Sequence, residues 1–223
     1  MCKSSPELVL AIVAIGAMYR FQATTGKALH RAAKLLISAK EHYIATESIE
    51  GLHFLQALLL LEVHALWEDP TSVSPLTPSQ QRLLVECARS RRLSAPLDGH
   101  WYSWAMSESL SRSSLASFCV INIRAVFNHT SPAVAANEVH APLPASAALW
   151  ASVSADSWLQ VSDGEPVALD FHEAYKRLFT GEATATSSFG CFALLQAIIQ
   201  RIDFCRRLSL DGALRSSDTA EIE

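Results

Sequence analysis

Apolar residues recur along this chain at helical spacing. Between Ser48 and Trp67, residues Leu52, Leu55, Leu59, Val63 and Leu66 follow one another at three and four positions, the period of one helix face. Upstream, Ser5-Pro6-Glu7 has the chemistry of a helix start: a capping serine, a first-turn proline and an acid at the positive end of the dipole. The helix it opens should run to about Phe21. It is apolar nearly all round, which predicts a central position. Thr24-Thr25-Gly26 is expected to break it, and a second helix is expected from Lys27 to Ala45. The third ends at Glu68-Asp69-Pro70. Thr77-Pro78 restarts a fourth, closing near Arg92.

A long fifth helix is expected from Tyr102 to Phe127. Asn128 to Pro144 reads as a loop, and Ser146–Ser152 and Asp156–Gln160 read as short helical turns. Asp163-Gly164-Glu165-Pro166 is a break. Asp170 then opens a helix to Phe179, Gly181 to Ser188 is small and polar like a linker, and a last helix spans Phe189 to Leu208. The polar tail from Asp211 to Glu223 is expected to fray. Short connections between successive helices imply an all-α fold, either a multi-helix bundle or a superhelical stack of antiparallel helical hairpins. Residues 1–180 read as the main region. Residues 181–223 read as a C-terminal helix and polar tail of the same domain.

Composition fits that picture. The 223 residues are 50% apolar and 18% charged, enough for a sizeable core and unlike a disordered chain. The formal net charge of −4 offers no global basic face for nucleic acid, although Arg89, Arg91 and Arg92 cluster, as do Arg201, Arg206 and Arg207. Cys2, Cys87, Cys119, Cys191 and Cys205 are odd in number and widely spaced, which suits reduced intracellular thiols better than a disulfide framework. Leu8 to Met18 is shorter than the ~20 residues that span a bilayer, and its flanks are poor for a secretory signal, although Ala14 and Gly16 resemble a cleavage site. His53, Gln56, Glu62 and His64 interrupt the second apolar run, so no membrane span is expected.

Little catalytic chemistry is visible. No cysteines or histidines have zinc-ligand spacing. His53 and His64 share a helix face, but eleven residues of helix separate them by roughly 16 Å, too far for one ion. His129 and His140 share a loop without a joining carboxylate motif. Phosphate-binding loops, nucleophile elbows and metalloprotease motifs are absent. Asp170-Phe171-His172-Glu173 is better explained by helix capping than by catalysis. No metal, cofactor or catalytic residue is expected. Arg91-Arg92-Leu93-Ser94 and Arg206-Arg207-Leu208-Ser209 repeat one tetrapeptide at expected helix ends. The plain reading is dipole compensation, and the sharper one is phosphorylation at Ser94 or Ser209.

The densest signal runs from Trp101 to Trp158. Trp101, Trp104, Glu108 and Arg112 are spaced three, four and four, placing them on one helix stripe. If exposed, the Glu108–Arg112 pair is worth ~0.3–0.5 kcal/mol; if shielded by tryptophan, it fixes how the helix docks, and breaking one partner costs ~3–5 kcal/mol. Phe118, Ile121 and Asn122 follow, then the loop Phe127 to Pro132, Leu143-Pro144, Leu149-Trp150 and Trp158. This run resembles the middle homology region of fungal zinc-finger and zinc-cluster transcription regulators. It departs from that pattern at Ser111, where an arginine pair would have its first member, and at Asn122, where an aspartate is common.

The resemblance implies an all-helical regulatory domain located in the nucleus, with the cytoplasm as the alternative. It implies action through protein contacts, with a full-length DNA-binding relative or the transcription machinery, or through a small-molecule effector in a pocket between helices. The zinc module that reads DNA in such regulators is not expected in these residues, so direct nucleic-acid binding is not expected either. The chain then represents a truncated paralogue, a fragment or a short regulator. The competing readings are an all-helical adaptor unrelated to transcription and, with less support, a helical enzyme.

Overall fold

The computed structural model describes residues 5–40, 49–69, 74–90, 100–164, 169–182 and 184–220, with side chains as far as Ser209. The first helix, α1 (Pro6–Tyr19), begins where Ser5 is extended and Pro6 occupies the first turn. Ser5 does not cap; its Oγ lies 3.3 Å from His53 Nδ1 instead. α2 (Ala23–Lys40) runs back antiparallel, so that Lys40 Nζ reaches both carboxylate oxygens of buried Glu7 at 2.9 Å. α3 (Ile49–Glu68) is antiparallel to α2, with Lys27 and Glu68 3.6 Å apart at the shared end.

Two expectations fail in this region. Thr24, Thr25 and Gly26 do not break the chain; they form the first turn of α2. Gly26 is there for close packing, because a Cβ would sit 3.1 Å from Met18 Sδ and 3.3 Å from the Ala14 carbonyl. The turn is made by Phe21, whose φ of 56° is left-handed, with Phe21 N–H donating to Met18 O and Gln22 N–H to Ala17 O. Nor is α1 central. Leu8, Ala11, Ala14 and Ala17 are buried, but Val9, Ile12 and Val13 face outward. A helix apolar on all sides gives no sequence signal for which side is covered.

Phe21 supplies a first prediction. A left-handed turn after a helix favours glycine, and this phenylalanine is 96% exposed, so it loses no packing when replaced. Phe21→Gly should raise stability by about 0.5–1 kcal/mol, read as a higher urea midpoint with an unchanged slope.

α4 (Pro78–Arg89) starts with a reciprocal cap: Gln80 N–H donates to Thr77 Oγ1, and Thr77 N–H donates to Gln80 Oε1. α5 (Trp101–Phe127) is the spine. One face, with Leu115, Phe118 and Cys119, packs with Val134, Val139, Leu143 and Phe171. Ile121 also touches the other core, which α1, α2 and α3 build around Ile37, Phe54, Leu58 and Leu61. The segment after α5 contains one 3-10 turn (Ala136–Glu138). It leads to the short helices α6 (Ala147–Trp150) and α7 (Ala155–Ser162), then α8 (Phe171–Thr180), capped by Asp170 and closed by left-handed Gly181. The capping reading of Asp170 to Glu173 is the one the structure shows.

The last helix, α9 (Ser188–Ala220), continues past Leu208 where a fraying tail was expected. Asp211-Gly212 does not end it. Ala193, Leu194 and Ala197 seat α9 in the same core as Phe118. The architecture among the described residues is all-α, with antiparallel hairpins α1–α2 and α2–α3 stacked beside α5. The spans Ile49–Glu68 and Ser188–Ser209 are long and apolar enough to cross a membrane, but the first is mostly buried within the fold. Residues 41–45, 91–92 and Ser94, each part of a sequence expectation, lie outside the described residues.

Candidate functional site: a tryptophan and ion-pair clamp

The motif residues of α5 meet the chain that returns after the loop. Arg112 Nε donates to Glu108 Oε1 at 2.7 Å, and Arg112 Nη2 donates to the Ala145 carbonyl at 3.0 Å. Glu108 Oε1 also accepts from Ala145 N–H at 3.0 Å. One carboxylate and one guanidinium therefore satisfy both main-chain groups of Ala145, immediately after Leu143-Pro144. The Arg112 guanidinium lies 4.5 Å over the Trp150 ring. Trp104 packs between Trp150 and Trp158, at 6.3 and 5.7 Å between ring centres.

The side chains of Glu108 and Arg112 are 8% and 20% exposed, so this is the shielded form of the pair. Leu143 and Pro144 are buried, and Leu143 N–H donates to Leu169 O at 2.8 Å, next to an isolated antiparallel bridge between Pro142 and Asp170. Trp101 is partly buried, with its indole N–H turned inward. The structure thus brings together Trp104, Glu108, Arg112, Trp150 and Trp158, with Leu143-Pro144 leading into the cluster. Beside it, Leu8, Ile12, Leu60, Arg112, Trp150 and Phe189 line an open apolar groove of about 370 Å³.

Sequence reasoning missed three other polar devices. Arg124 Nη2 meets Glu62 Oε2 at 2.5 Å, tying α5 to α3, and Glu62 also accepts from Ser74 Oγ. Asn122 Nδ2 donates to Gln196 O and Gln196 Oε1, while Gln200 donates to Asn122 Oδ1 and Val134 O and accepts from Ala136 N–H. This amide network joins α5, α9 and the loop. Its members are 74 and 78 residues apart, so no local pattern announces them.

The third device is a stacked histidine pair. His30 and His64 rings lie 4.5 Å apart at 21°, and His30 Nε2 is 3.3 Å from Leu61 O. His64 is buried and neither ring nitrogen has a hydrogen-bond partner. Burial pushes both pKa values below the ordinary 6.5; charge on His64 lowers His30 further, while Glu68 opposes the shift at both. A depressed folded pKa means that the unfolded chain takes up protons first. Stability should be full above pH 6.5 and fall as pH drops below 6.5 toward the folded values. Urea unfolding at pH 7.5 and 5.5 should show this loss, and His30→Gln/His64→Gln should flatten it.

The thiols behave as packing groups. Burial pushes Cys87 up to about 11 and Cys119 up to about 12, while Cys191 and Cys205 are exposed and free. Among the described residues, no three His, Cys, Asp or Glu side chains gather where a metal could bind. Ser209 sits well inside α9 and not at a helix end; its Oγ donates to Cys205 O, and Arg206 and Arg207 are already paired with Asp203.

A second cavity of about 490 Å³ lies between the loop, α8 and α9, with Pro132, Asn137, Tyr175, Gln200, Arg201 and Arg207 in its wall. No curated protein and no solved structure matches the chain. Residues 2–205 match the model of the fungal specific transcription factor domain, and the chain belongs to that family.

Proposed function

We propose that this chain is the regulatory region of a fungal transcription factor, working in the nucleus through contacts with other proteins and not as an enzyme. The observation that carries the reading is the family match across residues 2–205, which spans the fold from before α1 into α9. Residues 1–180 supply the regulatory region. Residues 181–223 add its last helix as part of the same domain, a reading supported by the seating of α9 in one core with α5.

The clamp is best read as structural. Glu108 and Arg112 bond to each other and to both main-chain groups of Ala145, so they tie α5 to the returning chain. Residues 1–223 carry no zinc-ligand spacing, so DNA reading falls to a module outside them, on the same chain or a partner. A metabolite effector fits best in the cavity beside Tyr175 and Gln200, whose size is that of small-molecule sites.

Chromatin immunoprecipitation of the tagged chain in its native cell tests this reading. Recovery at a defined set of promoters is expected. A purely cytoplasmic chain that recovers no promoter would instead support an adaptor unrelated to transcription.

A further inference from the structure

α9 buries one side and leaves an ordered apolar seam on the other. Ala193, Leu194, Gln196 and Ala197 face the core. On the opposite side Cys191, Leu195, Ile198, Ile202 and Cys205 follow at four, three, four and three residues, the heptad period of a helix-to-helix seam. Leu195 is 49% exposed, Ile202 is 62% exposed, both cysteines are exposed, and Ile198 between them is half-buried. The seam extends about 21 Å along the helix. Exposed Phe192, Phe204 and Leu208 lie outside this stripe, and it is the heptad spacing of the seam that points to the side of another helix and not to a bilayer.

The charges on its borders identify the kind of helix. In heptad terms Arg201 and Arg206 occupy the two flanks. Arg201 rests 4.3 Å over the Phe179 ring, and Arg206 is more than half exposed. From Ser188 to Ser209 the acid is Asp203, which is turned inward and already takes Arg206 and Arg207 at 3.0 and 2.6 Å. A parallel second copy would set Arg201 against the other Arg206, a like-charge contact that disfavours self-pairing.

We propose that the outward face of α9, from Cys191 to Cys205, docks an amphipathic helix of a partner protein whose apolar seam is bordered by Asp or Glu. This rests on the reading of the chain as a regulator that works through protein contacts. The partner's apolar residues cover Leu195, Ile198 and Ile202, and its carboxylates meet Arg201 and Arg206.

The test uses the full chain and two three-heptad helical peptides with the same leucine and isoleucine seam, one with Glu and one with Lys at the flanking positions. The Glu peptide should bind at least about ten-fold more tightly at low salt, with the preference shrinking as salt rises. It should slow maleimide labelling of Cys191 and Cys205 while Cys87 and Cys119 stay unlabelled, which also reports an intact core. Arg201→Glu/Arg206→Glu should reverse the preference, and Ile202→Asp should abolish binding.

Equal binding of both peptides, or none by either, overturns the proposal. So does a concentration-dependent dimer of the chain alone that protects both cysteines, or cysteine protection by anionic phosphatidylserine vesicles without any peptide preference. These outcomes leave promoter recovery in the cell untouched, so the docking claim and the regulatory reading fail separately.

Discussion

Arg112→Ala is expected to remove about 3–5 kcal/mol of stability, among the largest effects of any single change in this chain. The substitution leaves the Glu108 carboxylate buried beside Trp104 with only the Ala145 N–H as a described partner, and it strips the Ala145 carbonyl of its donor. It also removes the cation from the face of Trp150. A domain of this kind has a total stability of about 5–15 kcal/mol, so the variant should be close to unfolding at growth temperature. Thermal unfolding should show Tm lower by about 6–20 °C. Arg112→Lys should recover little of this, because an ammonium cannot reach Glu108 and Ala145 together while stacking on an indole. A change within about 0.5 kcal/mol would show that the pair behaves as an exposed surface pair, against the geometry described.

The second large effect is expected at the junction of α3 and α5. Arg124→Met leaves buried Glu62 without its cation and should cost about 3–5 kcal/mol. Converting both residues, Glu62→Leu with Arg124→Met, should restore most of that loss, since a buried ion pair contributes less than its breakage costs. Ser74 then loses its acceptor, and that hydroxyl is near enough to the surface to be hydrated. Urea unfolding of the two single variants and the double variant measures the coupling. Additive losses would mean that Glu62 and Arg124 act independently.

The helices were legible because their chemistry is local. Thr77-Pro78 reads as a helix start and Asp170 reads as a cap, so the starts of α4 and α8 fall where expected. Three-and-four spacing gave α3, and the stripe of Trp101, Trp104, Glu108 and Arg112 placed half of the clamp. The other half lies 33 or more residues on: Trp150 is joined to it in the sequence only through family resemblance, and Ala145 only in the structure.

What stayed hidden is nonlocal or backbone-made. A glycine in Thr24-Thr25-Gly26 looks like a turn, yet Gly26 is small so that Met18 and His64 can approach it. The actual turn uses Phe21, a residue type with no left-handed preference. The end of α9 was misjudged because Asp211-Gly212 is a turn signal that a continuing helix overrides. The Asn122 network and the His30–His64 stack depend on which helix faces which, and that cannot be read from one helix at a time.

A tethered reporter assay tests the regulatory account most directly. The full chain is fused to a heterologous DNA-binding module that carries a moderate activation segment, and reporter transcript is measured against the same fusion without the chain. The account predicts that the intact chain changes transcript level several-fold, and that Arg112→Ala abolishes the change while the fusion stays bound to its site. Reporter output identical with and without the intact chain, at equal occupancy of the site, would contradict it.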